Sequence, residues 1–553
     1  MKSATFLRYL GLIAIFAMLA LLTVACGGDD DDDDDGAAPT DRPDATTDTS
    51  GTGGVLRIGM SAGNIPIPNT APDQGFEGRR FVGFQIYDGL TLFNVEQGDT
   101  VPGPVPGLAE SWTIADDQLT WTFNLRPGVT FHDGTPFDAD AVVFNFDRIT
   151  DDTFEFYDAN MRAASISYSN NWASYRKVDD MTIEIVTKVP YSFLLDDLAL
   201  VYFASPTAVE TYGVEGYVQH ATGTGPFVMT RYVDGEVMEL EPFADYWGEK
   251  ARLEKLILYP MPEPATRLAA LQSGEIDWAE VPPPDSISQL ERQGFQVLLK
   301  EYPHVITHQL NTYKAPFDNV LVRRAVNYAM DKEGTVALIN GVGSPALQYM
   351  YEGHPYYDPD WEGYPYDPER AKELLAEAGY PDGFDMVLAY PTGGSGNMFP
   401  GPMVEKTQQD LAAIGIDAQL VPLEWNNVIS GFRAGFANPD WQKYDALYFS
   451  TAPLTPVLTL GSYVSERIPP AGCCNTSGIS IAEVDALFNQ AKETFDKEEQ
   501  DLLMRQATVE MMKQAPVLIT VHDLNLRVLS PKVKGFVQPQ SWFVNLKSVW
   551  VES

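Results

Sequence analysis

Basic side chains and cysteines are scarce in this chain. Its 553 residues hold 37 Lys and Arg against 77 Asp and Glu, a formal charge of −40. Ten of the acids and three of the bases fall in residues 1–50, so the remaining 67 acids and 34 bases leave the rest of the chain at −33. Nucleic-acid binding draws on clustered basic charge, and this balance excludes it. It is compatible with cationic or neutral ligands and with a salty habitat. It requires neither, because net charge governs solubility and steering and not fold. Catalytic signatures are also missing. There is no G-x-x-x-x-G-K-[ST] phosphate loop and no H-E-x-x-H pair. The glycine-rich "GTGGVL" and "GGSGNM" lack the G-x-G-x-x-G spacing of a dinucleotide site. The six histidines are dispersed: His132, His220, His304, His308, His354 and His522. His304 and His308 stand four apart, but in the β-branched "HVITH". In "FHDGTPFDADAVVF" the Asp133-Gly134 pair and Pro136 read as a turn into a capped helix and not as a catalytic dyad. With no nucleophile, base or metal set, a binding protein leads and an enzyme, such as a secreted hydrolase, comes second. No metal or cofactor is expected.

Long apolar runs are equally few. Tyr9 to Val24 is almost wholly apolar, follows Lys2 and Arg8, and is too short and too N-terminal for a membrane span. It reads as a secretory signal peptide over 1–25. "LTVAC" resembles a bacterial lipobox, with Thr23 where Leu is usual, and this makes Cys26 the lipid-bearing N-terminus. Residues 26–52, with seven aspartates at 29–35, are too poor in apolar groups to offset chain entropy. They read as a solvated tether that like charges extend; a calcium site there lacks the turn-forming glycine such loops use. The other two cysteines, Cys473 and Cys474, are adjacent in "PPAGCCNTSG". A vicinal disulfide, intermolecular pairing and two free thiols all remain open.

About 500 residues follow, enough for two or three domains. "GGVLRIGM" reads as a strand. "LTWTFNLRPGVTF" alternates Trp121, Phe123 and Leu125 with polar residues, turns at Pro127-Gly128 and resumes, as in a hairpin. "MTIEIVTKV" is a further strand. "DADAVVFNFDRI" is a helix capped by Asp138. "DPERAKELLAEAG" is another, with Asp367 as cap, Pro368 at the first helical position and Ala371, Leu374, Leu375 and Ala378 on one face. "DLAAIGIDAQLVPLEW" predicts a helix end, a turn at Gly415 and a strand. The stretch 481–516 predicts a helical pair, and "VLITVHDLNLRVL" one final strand. Strands and helices mix throughout, which indicates an α/β fold.

These pieces, in this order, resemble the family 5 extracellular solute-binding proteins of ABC transporters, which include oligopeptide, dipeptide and nickel binders. The block "LAESWTIADDQLTWTFNLRPGVTFHDGTPFDADAVVF" carries most of the likeness. "TRLAALQSGEIDWAEVPP", "LNTYKAPFDNVLVRRAVNYAMDKEG" and "YDPERAKELLAEAGYPDGF" extend it, and the matching pieces run from Gly53 to Val551. The resemblance implies an α/β, two-lobed, periplasmic-binding-protein-like (type II) fold with an additional subdomain on lobe one. Lobe one would comprise 53–93, 223–310 and 520–553, the subsidiary domain 94–222 and lobe two 311–519, with crossings near Leu310 and Thr520. It implies a monomer that closes on a small-molecule or peptide ligand and docks on a membrane ABC permease served by a separate ATPase. A solute sensor with the same fold is the alternative.

The family's cleft aromatic corresponds to Trp425 in "LEWNN". Its peptide binders also carry a segment whose Trp and Asp correspond here to Phe449 and Ala452 in "FSTAPLTP". The carboxylate that would meet a peptide's α-ammonium is therefore absent. On the last crossing strand, His522 or Asp523 stands near the ligand-facing position, and Asp523 is the candidate replacement. Ser61 and Asn64, after the first strand, and Tyr448, beside Phe449, complete the expected cleft.

Overall fold

The computed structural model describes residues 51–553. The expected signal segment, Cys26 and all but the end of the acidic tether lie outside them.

Among the described residues, three sheets organise the chain. The first has seven strands, in the order Gln296–Leu298, Arg527–Leu529, Trp278–Glu280, Val55–Met60, Lys255–Pro260, Val237–Pro242 and Phe227–Val233. Val55–Met60 lies parallel to both of its neighbours, and its alternate Leu56, Ile58 and Met60 are fully buried, as the period-2 geometry of a strand requires. The second has six strands, in the order Gly343–Pro345, Val517–Asp523, Val305–Leu310, Ala446–Thr451, Phe384–Pro391 and Ile416–Leu423. The third is a four-stranded antiparallel sheet of Ala109–Ile114, Thr120–Leu125, Thr182–Thr187 and Trp172–Asp179. Trp121, Phe123, Ile183 and Ile185 face its core, with Phe146 of the helix Ala139–Thr150.

Local signals set the helices. Asp138 accepts from the Ala141 amide at 3.0 Å and starts Ala139–Thr150. Asp367 accepts from the Arg370 amide at 2.9 Å and starts Pro368–Glu377, which buries Ala371, Leu374 and Leu375. Gly415 has φ +87° where the helix Pro400–Ala412 gives way to the strand Ile416–Leu423.

Three expectations are revised. After Pro127-Gly128 only an isolated bridge, Thr130 to Pro136, forms; Thr120–Leu125 pairs instead with Ala109–Ile114 and Thr182–Thr187. The final strand is two strands, Val517–Asp523 in the second sheet and Arg527–Leu529 in the first. Between them Asn525 adopts φ +54°, and Asp523 Oδ1 accepts from its amide at 2.9 Å, a side-chain-closed turn. Finally, Val305–Leu310 and residues 520–523, assigned above to lobe one, pair in the second sheet. The chain passes between the sheets at residues 299–304 and 524–526, a few residues from where the resemblance put the crossings.

Candidate ligand-binding site

A cavity of about 340 Å³ opens between segments packed on the three sheets. From the first-sheet side come Asp73 to Phe76 and Arg79; from the third-sheet side come Ser167 and Tyr168 of the helix Ala159–Ser169. The second-sheet side supplies the largest share.

There the helix Trp425–Ala434 begins where Glu424 accepts from the Asn427 amide at 3.2 Å. Trp425, Ile429, Phe432 and Arg433 stand at i, i+4, i+7 and i+8 and so share one face, which lines the cavity. Phe449 stacks on Phe432 with ring centroids 3.9 Å apart and lies 5.3 Å from the Trp425 ring. Gly394, at φ +98°, allows Trp425 to sit this close: a Cβ there would come within 2.5 Å of its indole. The "GGSGNM" stretch thus packs around an aromatic wall. Ala452 lines the same cavity, without a charged group of its own. Trp425, Phe449 and Ala452 therefore meet at one site. Cys473 and Cys474 reach it too, joined as a vicinal disulfide.

The other expected residues do not. Tyr448 alternates with Phe449 along Ala446–Thr451 and faces the opposite core, where its hydroxyl donates to Asn397 O at 3.0 Å and His308 meets its ring edge-on. Ser61 is buried, its amide and hydroxyl donating to Glu77 at 2.7 and 2.6 Å. Asn64 bonds Asp234 and the Gly235 amide at 2.9 and 2.7 Å in a partly exposed turn. His522 Nδ1 lies 3.2 Å from His304 O, and burial pushes its pKa down to about 4. Asp523, the candidate ammonium partner, accepts from the Tyr302 hydroxyl at 2.7 Å. Burial lifts its pKa to about 6, against the lowering effect of that bond. It belongs to a buried set between the first and second sheets, with Arg80 donating to Glu280 at 2.6 Å and Arg527 at 3.2 Å from Glu280.

Two features escaped the sequence reading. His304 lines the cavity, with Nε2 2.9 Å from Ser450 Oγ and its ring stacked 5.4 Å from Trp542. No local signal marks either residue. Gly59-Met60-Ser61-Ala62-Gly63 also has the G-x-S-x-G spacing of a hydrolase nucleophile turn. Ser61 Oγ donates to a carboxylate, and no histidine is among its hydrogen-bond partners, so the spacing does not build a triad here.

The profile of the bacterial extracellular solute-binding proteins, family 5 (middle), matches residues 103–457. The chain belongs to this family. It is 34% identical over 478 residues to heme-binding protein A of Haemophilus influenzae, covering 82% of this chain and 84% of that protein. The dipeptide-binding protein of Escherichia coli is 30% identical over 538 residues, with 88% and 96% covered. Among solved structures, the periplasmic binding protein DppA of Helicobacter pylori in complex with the peptide STSA superposes with a TM-score of 0.79 at 26% identity, covering 91% of this chain and 99% of that one. This family 5 protein is thus a non-enzymatic solute-binding protein of the ABC-importer type, with the mixed α/β fold of periplasmic binding proteins.

Proposed function

We propose that this family 5 protein captures a small organic solute of dipeptide size in the cavity walled by Trp425, Phe432 and Phe449. It then hands the solute to a membrane permease driven by a separate ATPase. The observation that supports this best is the cavity itself: about 340 Å³, aromatic on one wall, and bounded by segments packed on three sheets, the first and second of which the chain links through short crossings. A ligand touching both sides stabilises the closed arrangement, and the closed form is what a permease distinguishes. Anchoring through a lipid on Cys26 keeps the binder near its permease and raises its effective concentration there.

Peptide capture by relatives makes peptides the first solutes to test, although Ala452 removes the family's acidic anchor. A bound solute at a hundred times its dissociation constant adds ~2.7 kcal/mol of stability, readily read as a raised melting point. Trp425→Ala is expected to weaken that solute by roughly 2 kcal/mol, the loss of a central aromatic contact. Undiminished affinity in titration calorimetry would remove Trp425 from the site.

A further inference from the structure

We infer that the captured solute is an anion, an organic acid with an apolar portion whose carboxylate sits between Arg79 and Arg433. This inference rests on the cavity being the solute site. Three guanidinium groups line it: Arg79 from the first-sheet side, Arg433 from the last turn of Trp425–Ala434, and Arg467 from the turn Ser465–Arg467. Only one acid, Asp73, shares that wall. It is already occupied, accepting from the Ile67 amide at 2.8 Å and from Gln74 at 3.2 Å. Elsewhere in the body acids outnumber bases by nearly two to one, so the cavity inverts the charge of the molecule around it.

None of the three arginines forms an ion pair with a carboxylate among the described residues. Arg79 donates to Leu200 O at 3.0 Å and lies over the rings of Tyr168 and Tyr202, at 5.3 and 5.9 Å. Arg467 donates to Ser167 O at 2.9 Å; its nearby acid, Asp197, is buried and pushed well above the usual carboxylate range by desolvation. Arg433 is exposed at the cavity mouth. Arg79 brings a like charge to bear on it. Two cations on opposite walls that repel each other resist closure. An anion between them removes the repulsion and adds charge-assisted hydrogen bonds to both sides. A free ammonium has no comparable partner, because Ala452 stands at the family's acidic position.

Four dipeptides that share phenylalanine test the charge, titrated by calorimetry into the detergent-solubilised full chain: N-acetyl-Glu-Phe, Glu-Phe, Ala-Phe and Lys-Phe. Affinity should fall in that order, with at least about tenfold between the first and the last. Added salt should weaken the first most. Arg433→Gln should abolish the ranking and Arg433→Lys should keep part of it. Arg433 has no intramolecular hydrogen bond among the described residues, so an unchanged melting point is expected of both variants. Equal or reversed affinities overturn the inference and leave solute capture standing. So does a panel that fails to bind where sucrose or nickel–histidine binds. Failure of all these probes overturns both.

Discussion

At the residue scale, His308 shows how burial writes a pH dependence into the fold. It is 1% exposed, neither ring nitrogen has a hydrogen-bond partner, and its neighbour is the Tyr448 ring, 5.0 Å away and edge-on. Desolvation pushes its pKa down to about 3. The unfolded chain protonates this histidine near pH 6.5 while the folded chain does not, so its contribution to stability is present at neutral pH and is lost as pH falls below 6.5. His308→Leu removes that loss and fills the same apolar space. Relative to the parent, the variant is expected to gain about 2 kcal/mol at pH 5 over its standing at pH 8, read from urea unfolding at the two pH values. A difference that does not change with pH would show that His308 is solvated in the native state. Tyr448 and Phe449 make a second point at this scale. They are adjacent and both aromatic, yet strand alternation sends one to the core and the other to the cavity.

At the element scale, the loop carrying Cys473 and Cys474 contributes to the cavity wall from outside any helix or strand. Side-chain bonds hold it: Asn475 donates to Val464 O and Ile479 O at 3.0 and 2.8 Å, and Thr476 donates to Phe432 O at 2.6 Å. Thr312 donates to Ser477 O at 2.7 Å. A disulfide between neighbouring residues closes almost no chain, so it removes little entropy from the unfolded state. Its consequence belongs to the cavity, where both cysteines line the wall beside Arg467. The double variant Cys473→Ser, Cys474→Ser is expected to shift unfolding by less than about 1 kcal/mol. It should weaken the calorimetric affinity for the solute by severalfold. A large stability loss with unchanged affinity would reverse these roles.

At the scale of the whole molecule, two short crossings, 299–304 and 524–526, join the first sheet to the second, and the cavity lies between their attached segments. The acidic body around an arginine-lined cavity separates two jobs. Surface charge keeps the body soluble and off anionic lipid, while the enclosed charge selects the solute. The proposed lipid anchor is tested at this scale. Cys26→Ala is expected to move the protein from the membrane fraction to the soluble one on cell fractionation, and retention in the membrane would rule out lipidation at that cysteine.

What the sequence by itself determined is what neighbours along the chain decide. The helix caps Asp138 and Asp367, the glycine turn at 415 and the alternation in Thr120–Leu125 depend on contacts within a few residues, and so they were legible. Trp425, Phe449 and Ala452 were legible as cavity residues only through their places in family motifs. Only the tertiary structure decided the rest. "VLITVHDLNLRVL" looks like one strand because both halves are β-branched and apolar. It breaks at Asn525 because two different sheets claim its halves, and pairing across sheets leaves no local mark. The same pairing turns Asp523 toward Tyr302 and away from the cavity. Arg79, hundreds of residues before Arg433 and Arg467, joins them in one charged site only where three bodies meet. An overall charge of −40 gives no hint of it, because a sum over the chain carries no information about which charges end up facing one another.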